Sequence, residues 1–161
     1  MPLISLRPRE ATDTDRRSLV RLINDAYQAE TTAFYLRDRM DEITLDALLA
    51  DGELIVAEDE AGLAGCCFVK QEGARCHCGP VAVDPRRQGR GIGRRLMQAA
   101  HDWARERGCT AVGLEVVNHR SSDLLPFYEQ LGYRVTGEGP FPYPSETKHP
   151  SHMILLTKPL P

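Results

Sequence analysis

The sequence predicts an α+β fold in which a mostly antiparallel sheet carries helices on its faces. Three strand-like segments follow one another between residues 53 and 83, separated only by short acidic or glycine-containing breaks, which predicts an antiparallel meander. An amphipathic helix that begins at Ile92 comes next, and further strands follow up to residue 158. We expect one domain over residues 1–161, because a chain of this length with 42% hydrophobic residues can bury one sizeable core.

The N-terminal half is predicted to contain two helices and four strands. Alternating apolar and polar residues over 3–7 predict an edge strand that ends at Pro8. The first helix is predicted from apolar residues at helical spacing, namely Leu19, Leu22, Ile23, Ala26 and Tyr27. A second helix is predicted over 44–50, and residues 29–42 between the two helices are expected to form a loop or a short helix. The three strands of the meander are predicted over 53–58, 63–70 and 76–83.

The C-terminal half is predicted to add two helices and three strands. The helix from Ile92 should end near Gly108, and a strand is predicted over 110–117. The next helix is expected to start with Ser122 or Asp123 as its cap, which places Pro126 in its first turn, where a missing N–H is tolerated. Closing strands are predicted over 133–138 and 152–158, and the proline-rich segment 139–144 between them is expected to be neither strand nor helix.

Composition excludes several classes of protein. The formal net charge of −3 argues against general nucleic-acid binding, which usually requires a basic excess. No apolar run reaches the roughly 18 residues of a membrane span, and the apolar N-terminal stretch is too short for a signal peptide. Five cysteines form no framework of spacings, so we expect reduced thiols and a cytoplasmic protein.

A loop rich in glycine and arginine joins the strand 76–83 to the helix from Ile92. Its glycines, within Gln88-x-x-Gly91-x-Gly93, allow a tight turn and a close approach of the backbone to a ligand. The N–H groups and the dipole of the helix start favour an anion, and the loop is surrounded by positive charge from Arg87, Arg90, Arg94 and Arg95. The spacing fits neither a P-loop nor a dinucleotide fingerprint. The segment therefore predicts a seat for a phosphate or pyrophosphate.

This loop resembles the coenzyme A pyrophosphate loop of the GNAT superfamily of N-acetyltransferases. Two further motifs carry the resemblance. Phe127-Tyr128-Glu129-x-Leu131-Gly132-Tyr133 is similar to the family's helix with a tyrosine near the coenzyme sulfur, and Gly137-Glu138-x-x-Phe141-Pro142 is similar to a loop that covers the acceptor pocket in one branch. The resemblance spans essentially the whole chain and is strongest over residues 79–134.

The resemblance implies a GNAT fold, with a mixed, mostly antiparallel sheet of about six to seven strands and about four helices, splayed between the strands that end at Val83 and Val117. It implies acetyl-CoA as co-substrate and no metal. Tyr128 would donate a proton to the departing thiolate, and Asn118 would contact the cofactor, although about three more residues separate these two than in the commoner family pattern. The remaining cofactor-binding residues implied by the resemblance are Val81, Ala82, Val83, Gln88, Gly89, Arg90, Gly91, Ile92, Gly93 and Arg94.

The sequence offers more than one candidate for the group that removes the proton of the attacking amine. Many family members carry a glutamate on the strand before the loop, but Arg75-Cys76-His77-Cys78 contains no carboxylate. His77 and Glu115 are the candidates, acting directly or through water, and an amine of low pKa served by bulk water is the alternative. Metal binding by the Cys76-x-Cys78 pair is not expected, because no second ligand pair lies at a suitable spacing.

The function expected from the resemblance is acetyl transfer to a primary amine of a small molecule or peptide by direct attack. A non-catalytic module that senses acyl-CoA is the alternative. We expect neither nucleic acid nor membrane as a partner, and a homodimer is left open. Residues that could line the acceptor pocket are Tyr27, Glu30, Phe34, Tyr35, Phe141 and Tyr143.

Overall fold

The computed structural model describes residues 5–8 and 13–161, with side chains from residue 15 onward. They form a seven-stranded sheet in the order β1-β2-β3-β4-β5-β7-β6. The strands are β1 (Ser5–Pro8), β2 (Glu53–Asp59), β3 (Gly62–Glu72), β4 (Arg75–Val83), β5 (Ala111–Val117), β6 (Arg134–Pro140) and β7 (His152–Pro159). The helices are α1 (Asp13–Ala26), α2 (Gln28–Phe34), α3 (Glu42–Asp51), α4 (Ile92–Glu106) and α5 (Ser121–Gln130).

The sheet opens between its two central strands. All neighbouring strands pair antiparallel except β4 and β5, which pair parallel and only at Arg75–Ala111, Cys76–Val112 and His77–Gly113. Beyond these pairs β4 and β5 diverge toward their carboxyl ends, Val83 and Val117. The predicted α+β fold, with a mixed and mostly antiparallel sheet splayed at this point, is confirmed.

Hydrophobic packing on both faces of the sheet fixes the position of this opening. On one face, α4 buries Ile92, Leu96, Ala100 and Trp103 in a cluster that also includes Tyr128. On the other face, α1 and α3 bury a second cluster that contains Leu19, Ile23, Leu45, Val56 and Phe68. Because each large apolar side chain contributes roughly 1.5–3 kcal/mol when fully buried, the two layers hold the sheet and the helix ends around the opening.

Three local predictions differ from the structure. The described residues contain five α-helices where about four were expected, because residues 28–34 form α2, the short helix that was one of the two expectations for residues 29–42. The helix α5 begins at Ser121, because a 3-10 turn over Asn118–Arg120 continues into it directly. Pro126 is therefore an interior residue and not a first-turn residue, and it removes one backbone hydrogen bond from the helix.

The third difference concerns the proline-rich segment after residue 138. The strand β6 continues through Pro140, which pairs with His152 of β7. A proline is tolerated there because β6 is an edge strand that pairs only with β7, so one side of the strand needs no N–H donor. Residues 3 and 4 of the first predicted strand lie outside the described residues, and residues 5–8 form β1.

Candidate active site

The glycine loop has a backbone conformation that its glycines require. Asp84 caps a 3-10 turn over Pro85–Arg87, with Oδ1 accepting a hydrogen bond from the Arg86 N–H at 2.9 Å. Gly89 and Gly91 then have φ values of +82° and +75°. In this left-handed region a Cβ costs roughly 1–2 kcal/mol, so glycine is favoured at both positions. Gly91 is the N-cap residue of α4, and the helix begins at Ile92.

The start of α4 favours an anion. No side chain caps it, and its first turn contains no acidic residue. The N–H groups of Ile92, Gly93 and Arg94 have no partner within the helix, and the helix dipole adds positive potential there. Arg94 increases that potential, an unfavourable arrangement for a helix N-terminus without a bound anion. The predicted pyrophosphate seat therefore has the electrostatics that such a ligand needs.

Arg87 does not add positive charge for a ligand, contrary to the expectation from sequence. Its Nε and Nη2 donate to both carboxylate oxygens of Asp59, at 2.6 and 2.7 Å, and its Nη1 donates to Asp84 at 2.6 Å and to the Leu63 carbonyl at 3.2 Å. The guanidinium is thus neutralised by two carboxylates and joins the β2–β3 turn to the glycine loop. It supports the loop from behind.

These contacts also perturb the two carboxyl groups. Hydrogen bonds from Arg87 lower the pKa of Asp59. Burial acts to raise the pKa of Asp84, but hydrogen bonds from Arg86 outweigh it and the pKa is lowered. Since both folded-state values lie below those of the unfolded chain, their contribution to stability is present above pH about 4 and is lost as the pH falls through the folded values.

Asp59→Asn tests this support. We expect the free energy of unfolding to fall by about 1.5–3 kcal/mol at pH 7, because the Asp59 side chain is only 7% exposed and a charged hydrogen bond is lost. The difference from wild type should shrink as the pH is lowered below about 4. Asp46→Asn is the matched control, because its pair with Arg16 leaves the carboxylate 55% exposed and should contribute less than about 1 kcal/mol. Equal losses in urea denaturation would contradict the assignment.

A cavity of about 480 Å³ extends from the glycine loop to the splayed strands. It is lined by residues of α1 and its C-terminal end, β4, the loop, α4, the 3-10 turn after β5, and α5, namely Ala26, Tyr27, Val81, Ala82, Val83, Arg87, Gln88, Gly89, Gly91, Ile92, Gly93, Arg94, Arg120, Leu124, Phe127 and Tyr128. The structure therefore brings together most of the residues predicted to bind the cofactor, together with the predicted tyrosine. Arg90 lines a neighbouring cavity of about 530 Å³ on the α1 side of the loop.

Tyr128 reaches this cavity from α5. Its side chain is 8% exposed and its ring contacts Phe127 and Tyr133 edge-on, with centroids 5.0 and 5.6 Å apart. Burial raises the pKa of the phenol well above its ordinary value, so the hydroxyl is protonated at neutral pH. Within the described part of the chain this hydroxyl has no hydrogen-bond partner, so it is available to a ligand.

Tyr27 fixes the strand end on the opposite side of the cavity. Its hydroxyl donates to the Val81 carbonyl at 2.9 Å, which ties the end of α1 to β4 where β4 leaves β5. Burial raises the pKa of Tyr27, so the hydroxyl stays a donor. Tyr27, predicted among the acceptor-pocket residues, thus lies at the boundary between the cavity and α2.

Besides Arg90, three predicted site residues do not line the cavity. Asn118 follows β5, and its Oδ1 accepts a hydrogen bond from the His152 N–H at 3.0 Å, so its contact with the cofactor stays a prediction. His77 is half-buried within β4, between Lys70 of β3 and Gly113 of β5. Glu115 is exposed on β5, while Leu114 and Val116 on either side of it are buried. His77 thus lies in the paired part of the two strands, and Glu115 lies in the part of β5 that has left β4.

A buried ionic cluster beside the cavity was not predicted as a unit. The Glu30 side chain of α2 is 3% exposed, and its Oε2 accepts a hydrogen bond from Arg120 Nη1 at 2.8 Å. Its Oε1 accepts one from the Tyr35 hydroxyl at 3.1 Å and lies 3.5 Å from His119 Nε2. Arg120 also pairs with Asp123 of α5. No local pattern marks this cluster, since Glu30 and Arg120 are 90 positions apart in the chain.

Aromatic residues surround the cluster. The Phe34 ring stacks on the His119 ring, with centroids 3.8 Å apart, and Tyr35 lies between His119 and Phe141 at 5.8 and 6.0 Å. Two backbone hydrogen bonds hold residues 146–148 against the end of α2. The Leu36 N–H donates to the Glu146 carbonyl, and the Lys148 N–H donates to the Phe34 carbonyl. Of the predicted acceptor-pocket residues, Glu30, Phe34, Tyr35 and Phe141 thus converge, while Tyr143 is exposed.

Two further observations concern metals and membranes. Among the side chains that the structure describes, no group of three or more histidine, cysteine, aspartate or glutamate residues could hold a metal ion. In the same part of the chain, no helix has both the length and the apolar character that crossing a membrane requires.

Comparison with known proteins identifies the family. Residues 18–133 match the model of the acetyltransferase (GNAT) family. The chain is 31% identical to streptothricin acetyltransferase of Streptomyces lavendulae over 75% of its length, and 31% identical to glucosamine 6-phosphate N-acetyltransferase 1 of Oryza sativa subsp. japonica over 80%. It spans 60% of the length of the first of these proteins and 79% of the second.

Solved structures show the same fold. A GNAT family acetyltransferase from Elizabethkingia anophelis, crystallised with acetyl-CoA bound, superposes with a TM-score of 0.74 at 21% identity and 98% coverage of both chains. At 21% identity this superposition shows only that the fold is the same, whereas the family model shows that the sequence is related. The chain belongs to the GNAT family of acetyltransferases.

Proposed function

We propose that the protein transfers an acetyl group from acetyl-CoA to a primary amine of a small molecule or peptide. One observation carries the proposal: the uncapped N-terminus of α4 and the hydroxyl of Tyr128 open into the same cavity, at the point where β4 and β5 separate. A diphosphate and a thioester joined by a flexible arm would reach both ends of such a cavity. The bound acetyl-CoA in the related Elizabethkingia anophelis structure supports the choice of cofactor.

The residues have distinct roles toward this cofactor. The backbone N–H groups of residues 88–94 would hold the diphosphate. The arm would lie between β4 and β5, beyond the last pair formed by His77 and Gly113. A backbone N–H of Val81, Ala82 or Val83 would donate to the thioester carbonyl and stabilise the negative charge that develops on its oxygen during attack.

The reaction would be a direct attack with no covalent enzyme intermediate. The amine nitrogen forms a bond to the acetyl carbon, the bond from carbon to sulfur breaks, and the Tyr128 hydroxyl gives its proton to the departing thiolate. The products are the acetamide and free coenzyme A. Deprotonating a lysine-like amine at pH 7 costs about 4.6 kcal/mol, whereas an α-amine costs about 1 kcal/mol, so the enzyme needs a proton acceptor most for strongly basic acceptors.

The relatives support an amine acceptor without naming it for this chain. Streptothricin and glucosamine 6-phosphate are the substrates in the names of the two related proteins. Phe34, Tyr35 and Phe141 converge next to the cavity residue Arg120 and would contact an apolar part of the acceptor.

An amine screen tests the proposal. We expect thiol release from acetyl-CoA, followed with a chromogenic disulfide, to depend on the amine and to yield the acetylated product in mass spectrometry. A sensor module would bind acetyl-CoA in calorimetry and release no thiol with any amine. That outcome would overturn the enzymatic assignment and leave the cofactor site intact.

A further inference from the structure

His119 lies at the end of β5, next in the chain to Arg120, a residue that lines the cavity. It follows β5 directly, in the 3-10 turn over Asn118–Arg120, at the carboxyl end of the strand that diverges from β4. Its neighbour Arg120 lines the cavity together with Tyr128 and Val81. His77 lies in the paired part of β4, whereas Glu115 lies beyond the last pair, with its exposed side chain between the buried Leu114 and Val116.

The ring of His119 is held in one orientation. Its side chain is 12% exposed, one ring face stacks on Phe34, and Tyr35 packs against it at 67°. Nε2 is directed toward Glu30 Oε1 at 3.5 Å and is a buried atom without a hydrogen-bond partner among the described residues. The ring therefore faces a carboxylate through Nε2, and this contact orients it.

Burial is the main reason that the ring is neutral at pH 7. Burial lowers the pKa of His119, the Glu30 carboxylate opposes this effect, and Arg120 and His149 reinforce it. The charged and titratable groups that face the ring are these three, together with the Tyr35 phenol, whose pKa is raised by burial. A neutral imidazole can accept a proton at pH 7, and a carboxylate opposite Nε2 favours the tautomer with its proton on Nε2.

We propose that His119 is the general base of the acetyl transfer, accepting the proton of the attacking amine at Nδ1, and that Glu30 is the positioning residue that orients its ring. This inference rests on the proposed function. The sequence analysis named His77 and Glu115 as candidate bases, not these two residues.

The proton balance of the step is simple. As the amine nitrogen bonds to the acetyl carbon, one N–H proton passes to Nδ1 of His119 and the electron pair of that bond stays on nitrogen. The thiolate takes a proton from Tyr128, and the imidazolium then loses its proton to solvent or to the tyrosinate. For an amine that enters as an ammonium ion, one additional proton is released to solvent.

His119→Gln is the central test. At saturating acetyl-CoA and amine, we expect kcat at pH 7 to fall about 10²-fold, with an unchanged Kd for acetyl-CoA. The wild-type kcat should decline toward acidic pH as His119 becomes protonated, and this acidic limb should disappear in the variant. His149→Gln is the matched control, because this exposed histidine lies against the same Phe34 ring, 6.5 Å away, and should keep the acidic limb.

Glu30→Gln tests the positioning role separately. Because the carboxylate raises the pKa of His119, its removal should lower that pKa and move the acidic limb of kcat to lower pH. A purely structural contact would not move the limb. Imidazole titration followed by NMR in the same variant should show the same shift for His119 in the absence of any substrate.

The outcomes separate the two proposals. If wild type releases thiol and His119→Gln keeps both its kcat and its acidic limb, the assignment of His119 is wrong while the acetyl transfer stands. Loss of acetyl-CoA binding in His119→Gln would also contradict the assignment of His119 as the base and would indicate a structural role. If His119→Gln does not fold, the shift of the limb in Glu30→Gln decides. If wild type transfers acetyl to no amine, both proposals fail.

Discussion

Gly91→Glu should abolish coenzyme A binding, raising the Kd by about 100-fold or more, equivalent to about 2.8 kcal/mol. Gly91 has a φ of +75° and caps α4, so a side chain there strains the backbone by roughly 1–2 kcal/mol. The carboxylate would also lie at the helix N-terminus and compete there with the diphosphate. Titration calorimetry with coenzyme A measures the effect directly.

Gly73→Glu is the control for backbone strain. Gly73 has a φ of +61° in the turn between β3 and β4, and a Cβ added there would meet no atom within 4 Å, as at Gly91. It therefore shares the strain and the added charge but not the location. We expect Gly73→Glu to lose stability and keep its affinity for coenzyme A. If the two variants bind equally well, the diphosphate does not lie at the start of α4.

Tyr128→Phe should lower kcat by about 10²-fold and change the Kd for acetyl-CoA little. The variant keeps the ring that packs on Phe127 and Tyr133 and removes only the hydroxyl, which has no protein partner among the described residues. Without that proton donor the thiolate departs as a poorer leaving group. Steady-state kinetics and calorimetry on the same preparation separate the two effects.

Tyr133→Phe is the matched control, since Tyr133 is also buried but its hydroxyl lies 2.7 Å from His101 Nε2 in the core. Its loss should decrease the free energy of unfolding by about 1–3 kcal/mol and leave kcat in place. An unchanged kcat in Tyr128→Phe would mean that Tyr128 is only a packing residue. A parallel decrease of kcat in both variants would point to a general loss of packing.

Local sequence signals predicted the part of the fold that holds the cofactor site. The order of strand, glycine loop and helix over residues 76–107 was correct, because the positive φ of Gly89 and Gly91 and the helical spacing from Ile92 are properties of neighbouring residues. The splay between β4 and β5 followed from the resemblance to the family. The start of α5 was misplaced, because the continuity of a 3-10 turn with a helix leaves no distinct signal at Ser121.

The acceptor side could not be predicted in the same way. The cluster of Glu30, His119 and Arg120 forms only when α2 packs against the end of β5, and no spacing in the chain indicates that contact. Arg87 shows the same limit, because the sequence shows a charge but not that Asp59 and Asp84 neutralise it. Pairings between distant side chains depend on the folded backbone.

Trp103 gives the molecule an intrinsic reporter that is separate from the cofactor site. It is the single tryptophan of the chain, packed under Arg107 near the C-terminal end of α4, with its indole N–H donating to Glu53 of β2. Eleven residues of helix place it about 16 Å along the axis from Ile92. We therefore expect its fluorescence to report disruption of the contact between α4 and the sheet. Because Trp103 is distant from the predicted diphosphate site, coenzyme A binding should be followed with a different optical signal.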